Sequence, residues 1–374
     1  MRLSLRFLLF IIVMSRPVQA VIHLDNLRHN LALMRRLARD RTLWAVVKAD
    51  AYGHGLEQAL TAFSEADGLA TLEVRDARFF RERGWSRRIL LLEGFFDADE
   101  LVEISQLGLE TVVHSSWQID LLRHTPVEKG VNVHVKLNSG MNRLGFKPEE
   151  YGAVRAELEA IAGVRVLGCV THFANSEASY AADGILPVNR QLSAMGKLAC
   201  REDACMANSG ALLFHEEVTG GAVRAGVALY GLSPDSRVDR NTLGLKAGMT
   251  LEARIIAVQH LNAGEAVGYG SRWTAKRASR IAVVTCGYGD GYPRSMPDGA
   301  PVWVCGRKVP LVGSVSMDML EIDITDVPEA DVGETVELWG EHIDVNTLAS
   351  LVGTIGYELI CAVAPRVPRV SGGR

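Results

Sequence analysis

The chain has 374 residues, of which 48% are hydrophobic and 22% are charged, and its formal net charge at pH 7 is −4. This composition is typical of a globular protein with about two domains, and the absence of a basic excess argues against nucleic-acid or anionic-membrane binding. The six cysteines show no CxxC spacing and the ten histidines form no HExxH motif, so we expect reduced thiols and no metal site.

Hydrophobic periodicity predicts alternating helices and strands over the first two thirds of the chain. A helix over 24–39 has apolar residues at helical spacing, and a buried strand follows at 43–49. The next predicted strands are 70–73, 89–92, 112–113, 132–137 and 164–172, and the helices between them are 56–65, 74–82, 98–106, 117–123 and 148–161. Because eight repeated βα units close a TIM barrel, we predict an α/β fold with a (β/α)8 barrel over 24–244.

Several polar residues fall at the ends of these predicted strands or in the loops that follow. They are Lys48, Lys136, His172, Asn208 with Ser209, and Arg224. In a TIM barrel the chemistry lies at the carboxyl ends of the strands, so this placement favours a closed barrel over an open doubly wound sheet.

The pattern changes near residue 245. Short predicted strands, most of them separated by Gly or Pro, lie at 249–259, 267–269, 281–286, 302–305, 309–312, 319–324 and 335–338. They indicate a mostly-β C-terminal domain over 245–374. The boundary falls near 233–246, where Pro, Asp, Asn and Gly cluster.

Lys48 is the residue with the clearest chemical signal. It ends an apolar strand and is followed at once by a turn, and burial lowers the pKa of a lysine toward the free amine that attacks a carbonyl. A lone lysine at a strand end can equally extend its charged head into solvent. The string Lys48–Gly55, Lys-Ala-Asp-Ala-Tyr-Gly-His-Gly, resembles the pyridoxal phosphate (PLP) attachment motif of alanine racemases.

Further blocks carry the same resemblance in the expected order, which extends from about residue 14 to residue 370. They are 136–145, 170–174, 208–210, 224–227, 267–270, 286–292, 314–319 and 354–358. The resemblance implies a PLP-dependent, fold-type III racemase that interconverts L- and D-alanine with two opposed bases, Lys48 and Tyr269. PLP would supply the electron sink that removal of an α-proton needs.

The resemblance also assigns residues to the cofactor. These are Lys48, Tyr52, His172, Asn208, Ser209, Arg224, Gly226, Val227 and Tyr357. Arg224 would donate to the pyridine nitrogen and His172 would support that arginine. Ser209, Gly226 and Val227 would contact the phosphate, together with Tyr52 and Tyr357.

The substrate-binding residues implied by the family are Arg143, Met317, Asp318 and Tyr288. Lys136 occupies the position where many relatives carry a carbamylated lysine. Two positions differ from the usual family pattern, because Asn138 replaces an aspartate and Gly289 replaces an alanine. The residues around Tyr269 and Met317 reach the partner subunit's site in relatives, which implies a head-to-tail homodimer.

The amino terminus has two interpretations. Residues 1–20 combine two arginines, a short apolar stretch and a small-residue cleavage motif, as in a secretory signal for a periplasmic protein. Alternatively, translation begins at Met14, as in catabolic-type alanine racemases, and residues 1–13 are an N-terminal extension of a cytoplasmic protein. We expect the second, because cleavage after Ala20 would cut the family's first strand at 14–23, which we expect to pack with the C-terminal domain.

Details such as Asp50 and the block 138–143 favour the catabolic type, which leaves two roles open: alanine catabolism and supply of D-alanine for peptidoglycan. A decarboxylase with the same architecture is the alternative enzyme, although decarboxylases usually pair the pyridine nitrogen with an acid and not with a cation such as Arg224. A PLP-carrying homeostasis protein is a single barrel, which the second domain argues against. A periplasmic racemase of broad specificity follows if the signal is genuine.

Overall fold

The computed structural model describes residues 16–177, 186–196 and 204–372. Two compact units divide the chain: Leu24–Lys246, here called the barrel unit, and Met1–His23 with Ala247–Arg374, here called the β unit. The predicted extension 1–13 lies outside the described residues, as do the first two residues of the predicted strand 14–23. Strand β1 (Val18–His23) is the first element among the described residues and belongs to the β unit.

The barrel unit is a closed ring of eight parallel strands. Its strands are β2 (Thr42–Val46), β3 (Gly68–Thr71), β4 (Arg88–Leu91), β5 (Glu110–Val113), β6 (Val131–Lys136), β7 (Val164–Val170), β8 (Cys205–Ala207) and β9 (Ala222–Ala225). Its helices are α1 (Leu24–Ala38), α2 (Lys48–Tyr52), α3 (Leu56–Ala62), α4 (Val74–Glu82), α5 (Ala98–Leu107), α6 (Ser116–His124), α7 (Tyr151–Glu159), α8 (Val188–Met195) and α9 (Ser209–Phe214). The pairing of Thr42 with Ala222 closes the ring, and the predicted TIM-type barrel is confirmed.

Helix α1 illustrates how the sequence builds the barrel unit. Leu27, Leu31, Met34 and Ala38 recur every three or four residues and are buried. Each large apolar side chain so buried stabilises the fold by about 1.5–3 kcal/mol. Strand β3 is buried at every position, as expected for a parallel strand covered on both faces.

An ion cluster around the buried Glu110 lies at the amino ends of the strands. Glu110, the first residue of β5, accepts a hydrogen bond from Arg88 Nη2 at 2.9 Å and lies 2.7 Å from His134 Nε2. The Arg88 guanidinium also lies 4.7 Å from the centroid of the Trp44 ring. Burial raises the pKa of Glu110, but the hydrogen bonds from His134 and Arg88 outweigh it and leave that pKa lowered. Polar clusters at this face of a TIM barrel serve stability.

The β unit contains an eight-stranded sheet in the order β13-β16-β15-β14-β17-β10-β1-β18. Its elements after β1 are β10 (Met249–Leu261), β11 (Ala266–Val267), β12 (Trp273–Thr274), β13 (Ser279–Val284), β14 (Pro301–Val304), β15 (Arg307–Val312), β16 (Leu320–Asp323), β17 (Thr335–Trp339), α10 (Val345–Leu351), α11 (Gly356–Cys361) and β18 (Arg369–Gly372). Strand β1 lies between β10, to which it is antiparallel, and β18, to which it is parallel. The mostly-β prediction for the C-terminal domain is confirmed.

The cysteines depart from the sequence expectation at one position. Cys169 on β7 is disulfide-bonded, whereas Cys205, Cys286, Cys305 and Cys361 are reduced thiols. The expectation of reduced thiols throughout is therefore wrong at Cys169. Within residues 16–177, 186–196 and 204–372, no three His, Cys, Asp or Glu side chains are grouped to hold a metal ion. In the same described ranges, none of the helices combines the length and apolarity that crossing a bilayer requires.

Candidate active site

Lys48 begins a left-handed turn at the carboxyl end of β2. The strand ends at Val46, earlier than the predicted 43–49, and Lys48 is half-buried at the first position of α2. The four residues 49–52 have φ between 51° and 55°, a conformation that costs roughly 1–2 kcal/mol per L-residue. The strand prediction is too long because hydrophobic periodicity does not report the sign of φ.

Tyr52 closes this turn and is held by its neighbours. Its ring stacks on Tyr230 with the centroids 4.7 Å apart, and the Tyr230 hydroxyl donates to the carbonyl of Val46 at 2.8 Å. A Cβ atom at Gly226 would lie 2.6 Å from the Tyr52 hydroxyl oxygen. The structure therefore brings together Tyr52 and Gly226, two of the residues assigned to the cofactor, and only glycine allows this approach.

Arg224, on β9, is buried and hydrogen-bonded to the barrel backbone. Its Nη1 donates to the carbonyl of Cys205 at 2.6 Å, and its Nη2 donates to the carbonyl of Thr171 at 2.7 Å. Nη2 also lies 3.2 Å from Nδ1 of His172. A guanidinium has no acceptor, so Nδ1 of His172 accepts and its ring is neutral with the proton on Nε2. The predicted contact between these two residues is present.

The electrostatic surroundings of His172 agree with this neutral form. Burial lowers the pKa of His172 well below its usual value, and the positive charges of Arg224, Lys136, Arg143 and Lys48 lower it further. Protonation of His172 would add a further positive charge beside these groups. As a neutral acceptor, His172 can therefore hold Arg224 in position without electrostatic repulsion between the two side chains.

Lys136 ends β6 and lies beside the same cationic group. Burial, followed by the charges of Arg224 and Arg143, lowers the pKa of Lys136 to about 7. One pocket is lined by Lys136, Leu137, Asn138, Ser139, Met141, Arg143, Leu144 and His172. The described lining residues include no carboxylate, so Arg143 and the charged fraction of Lys136 leave the pocket positively charged. It is suited to anionic groups.

Asn138 organises the loop that carries Arg143. Its Oδ1 accepts from the backbone N–H groups of Gly140 and Asn142 at 3.1 and 2.9 Å, and its Nδ2 donates to Asn142 Oδ1 at 3.1 Å. All these bonds lie within the loop. An amide at this position thus supplies both a donor and acceptors, whereas the aspartate usual in the family could only accept.

Gln191 is a contact residue that the sequence analysis did not identify. It is fully buried on α8, and its Nε2 donates to Ser139 Oγ at 2.8 Å and to the carbonyl of His172 at 3.0 Å. Its Oε1 accepts from the N–H of Ala174 at 2.8 Å. One amide thus joins the loop of Arg143 to the loop of His172. The sequence did hold one sign of this role. Gln191 is a polar residue on the helix face that also carries the buried residues Val188 and Met195.

Ser209 and Asn208 lie where β8 enters α9. Ser209 Oγ accepts from the N–H groups of Gly226 and Ala228 at 2.9 and 3.4 Å, which leaves its own hydroxyl hydrogen to donate. Asn208 Oδ1 accepts from Ala211 N at 2.8 Å and caps the helix. This set offers neutral donors close to the Tyr52 hydroxyl, as a phosphate group requires. Val227, the residue after Gly226, is buried beside them.

In the β unit, Tyr269 is presented on a tight turn. It begins the 3-10 turn Tyr269–Ser271 and its side chain is 71% exposed. The glycines on both sides have positive φ, 68° at Gly268 and 72° at Gly270. Two left-handed positions reverse the chain there, and only glycine adopts them without strain. The turn therefore projects the phenol away from its own unit.

Two further loops of the β unit are paired through their backbones. The N–H of Tyr288 donates to Ser316 O at 3.0 Å, and the N–H of Gly289 donates to Met317 O at 2.9 Å. The pairing brings together Tyr288, Met317 and Asp318, all predicted to bind substrate. The Tyr288 and Met317 side chains are 40% and 54% exposed.

Asp290 lies beneath these loops and has no exposed surface. Its carboxylate accepts from Arg16 Nη1 at 2.7 Å, Arg16 Nη2 at 3.1 Å and Gly287 N at 3.0 Å, and Arg366 Nε lies 2.8 Å from Oδ1. Both arginines also reach Asp318. The sequence analysis missed this cluster. Its signal was an aspartate between two glycines at 289–291.

The predicted site residues divide between the two units. The barrel unit holds Lys48, Tyr52, Lys136, Arg143, His172, Asn208, Ser209, Arg224, Gly226 and Val227. The β unit holds Tyr269, Tyr288, Met317, Asp318 and Tyr357, the last half-buried on α11. Within the β unit, the paired loops bring Tyr288 close to Met317 and Asp318.

Comparison with known proteins gives family matches over nearly the whole chain. The family model "Alanine racemase, N-terminal domain" matches residues 22–234 and "Alanine racemase, C-terminal domain" matches residues 248–371. A catabolic alanine racemase from Klebsiella aerogenes is 47% identical over 360 residues, which cover 96% of this chain and 100% of that protein. An alanine racemase from Erwinia tasmaniensis is 45% identical over 357 residues, 95% of this chain and 99% of that protein.

Solved structures give the same result. The biosynthetic alanine racemase from Pseudomonas aeruginosa superposes with a TM-score of 0.90 at 41% identity, covering 96% of this chain and 100% of that chain. The alanine racemase from Acinetobacter baumannii has a TM-score of 0.86 at 36% identity, with coverage of 96% and 100%. The similarity therefore includes relatives called catabolic and relatives called biosynthetic.

Proposed function

The chain belongs to the alanine racemase family, whose members are isomerases, and on this premise we propose that it interconverts L- and D-alanine with PLP and two bases. The observation that carries the proposal is the cationic group at the carboxyl ends of the barrel strands. Lys48 lies close enough to contribute to the lowered pKa values of both Lys136 and His172.

The described residues fit PLP, which carries a phosphate and binds covalently to a lysine. Lys48 would be the anchor, and by the family resemblance the phosphate would be held by Tyr52, Asn208, Ser209, Gly226, Val227 and Tyr357. Ser209 Oγ accepts hydrogen bonds from two backbone N–H groups, so its own hydroxyl hydrogen can donate to a phosphate oxygen. When bound, PLP supplies the electron sink that acidifies the α-hydrogen of an amino acid.

Arg224 and His172 set the electronic character of the site. The guanidinium of Arg224 is positively charged and has no acceptor. It would donate to the pyridine nitrogen, which must then stay unprotonated to accept the hydrogen bond. An unprotonated pyridine nitrogen would make the ring a weaker electron sink. His172 accepts from Arg224 as a neutral ring, which keeps the guanidinium oriented.

Lys48 and Tyr269 are the two acid–base groups. Racemisation needs one group to take the α-proton from one face and another to return a proton to the opposite face. Tyr269 is highly exposed on its turn, and we infer that it enters the site of a second copy in a head-to-tail homodimer. Arg143, Met317, Asp318 and Tyr288 would bind the substrate beside it.

Lys136 is a candidate for carbamylation. With a pKa of about 7, about half of its amine is neutral at pH 7 and able to add to CO₂. The nitrogen forms a bond to carbon and releases one proton, and the resulting anion would pair with Arg143. A ¹³C NMR carbamate signal in ¹³C-bicarbonate that disappears in Lys136→Met tests this; no signal above pH 8 contradicts it.

We infer a cytoplasmic protein that serves alanine catabolism, D-alanine supply for peptidoglycan, or both. Cleavage after Ala20 would remove the pairings of Val18, Gln19 and Ala20 with β10, half of a strand whose inner positions are buried. We therefore expect the N-terminus of the purified protein, read by mass spectrometry, to precede Arg16. A start at Val21 would contradict this.

The direct test is to assay the protein, purified with PLP, against a panel of L-amino acids. We expect D-alanine to form from L-alanine, with slower turnover of larger side chains, and no release of CO₂. Release of CO₂ and an amine without D-alanine would instead support the decarboxylase alternative. A bound cofactor without turnover of any amino acid would support a carrier role.

A further inference from the structure

We propose that Asp290, Arg16 and Arg366 form a positioning cluster that fixes the loop 314–319 for substrate binding. The inference rests on the proposed function, since it gives the cluster a purpose through Met317 and Asp318. None of the three cluster residues is among those to which the family resemblance assigns a role. Their contribution follows from contacts between distant parts of the β unit.

The first step is the state of Asp290. This side chain is fully buried, and burial of a carboxylate is strongly unfavourable unless it is paired and hydrogen-bonded. Arg16 donates to both carboxylate oxygens, Arg366 Nε lies 2.8 Å from Oδ1, and the N–H of Gly287 donates to Oδ2. Four donors hold the carboxylate in one orientation, so it is a fixed point under the loops.

The second step is the link from Asp290 to the substrate loop. Arg366 Nη2 donates to Asp318 Oδ1 at 2.7 Å, and Arg16 Nη2 donates to the carbonyl of Asp318 at 2.8 Å. The Arg366–Asp318 pair is about half exposed, and alone it would contribute little. Because a guanidinium is planar and rigid, the contact of Arg366 Nε with Asp290 also fixes the direction in which Nη2 points toward Asp318. The cluster thus holds both the backbone and the carboxylate of Asp318.

The third step concerns Gly289. A Cβ atom there would lie 2.5 Å from Arg366 Nη2 and 3.1 Å from the carbonyl of Met317. The glycine that replaces the family's usual alanine therefore gives the Arg366 guanidinium room to lie against the backbone of the Tyr288 loop. Gly289→Ala should displace the flexible end of Arg366 and weaken the cluster without removing a charge.

Arg16 is the unexpected member. It precedes strand β1 and lies 274 positions from Asp290 in the sequence. Pro17, the next residue, accepts a hydrogen bond from Thr285 Oγ1 at 2.9 Å, which holds the segment beside the strand that leads into the Tyr288 loop. The segment before the first strand thereby takes part in positioning the substrate loop.

The test compares Arg16→Met with Arg16→Lys, Gly289→Ala and a control, Arg277→Met, which breaks an exposed ion pair with Asp326 in the same unit. We expect Arg16→Met to raise the KM for L-alanine about tenfold with kcat within about threefold, because the cluster orients binding groups and not the bases. Arg16→Lys and Gly289→Ala should give smaller rises, and the control should give none.

A second measurement does not depend on turnover. Hydrogen exchange of the protein purified with PLP should be faster in peptides covering 286–290 and 314–319 of Arg16→Met, with barrel peptides unchanged. Unchanged exchange and unchanged KM would overturn the proposal, as would a uniform increase in exchange across the β unit. If the wild-type protein fails to racemise alanine, the proposed function fails, while the exchange result still decides whether the cluster fixes the loop.

Discussion

The two units hold their predicted site residues in different ways. In the barrel unit, Arg224 and Ser209 are 5% and 4% exposed, and backbone groups at the strand ends and in the loops that follow them engage their polar atoms. In the β unit, Tyr269 and Met317 are 71% and 54% exposed, and what is fixed is the backbone behind them. The barrel therefore orients Arg224 and Ser209 before any ligand binds. The β unit instead presents groups that we propose to be covered by a second copy.

The largest expected effect removes the anchor in the barrel. Lys48→Ala should abolish racemisation, a loss of at least about 10³-fold, because it removes both the covalent link and one base. The purified variant should also lose the visible absorbance that the lysine-linked cofactor gives. Lys147→Ala, an exposed lysine in the same unit, is the control. Retention of absorbance and of racemisation by Lys48→Ala would contradict the assignment.

A smaller loss of activity is expected when Arg224 is replaced by a residue with the same charge but a different geometry. Arg224→Lys should lower kcat/KM by about 10²-fold, because an ammonium cannot reach two carbonyls, His172 and the cofactor together. Arg41→Lys is a matched control, since Arg41 also donates to backbone carbonyls of the barrel unit. Equal kinetics for the two variants would show that charge alone is sufficient at residue 224.

Gln191 tests whether the barrel's preorganisation extends beyond residues that face the ligand. Gln191→Leu should lower kcat/KM about tenfold, because the loops of Arg143 and His172 lose their common hydrogen-bond partner. Asn189→Ala, at an exposed position of the same helix, should have no effect. Wild-type kinetics for Gln191→Leu, with unchanged thermal stability, would show that the two loops hold their positions independently.

The smallest effect on activity is expected at the opposite end of the barrel. Glu110→Gln should destabilise the barrel by about 2 kcal/mol because it weakens a buried pair, and leave kcat nearly unchanged.

Since the folded-state pKa of Glu110 is lowered, the stabilisation that its carboxylate contributes is present above the usual carboxyl pKa and is lost as pH falls through the folded-state pKa. Denaturant titrations at pH 7 and pH 4 should therefore show a smaller difference between variant and wild type at pH 4. Glu103→Gln, from an exposed pair, is the control, and a difference that grows at pH 4 would contradict the assignment.

The sequence was informative where periodicity or a motif carried the signal. Alternating helices and strands predicted the barrel, and the Lys48 and Arg224 motifs predicted residues that converge in one unit. Periodicity could not predict the left-handed turn after Val46, because the φ angles there are set by contacts such as the stacking of Tyr52 on Tyr230. Asp290 and Gln191 were missed for a related reason. Their partners lie 274 and 52 positions away, and single polar residues carry no local pattern that predicts such contacts.

The most direct test of the two-base account uses Tyr269→Phe in deuterium oxide. Without the phenol, Lys48 still reaches one face of the substrate. The variant should therefore exchange the α-hydrogen of one alanine enantiomer with solvent deuterium, keep its cofactor absorbance, and lose most of its racemisation. Both quantities can be followed by ¹H NMR and chiral chromatography. Racemisation at the wild-type rate, or equal exchange of both enantiomers, would contradict the account.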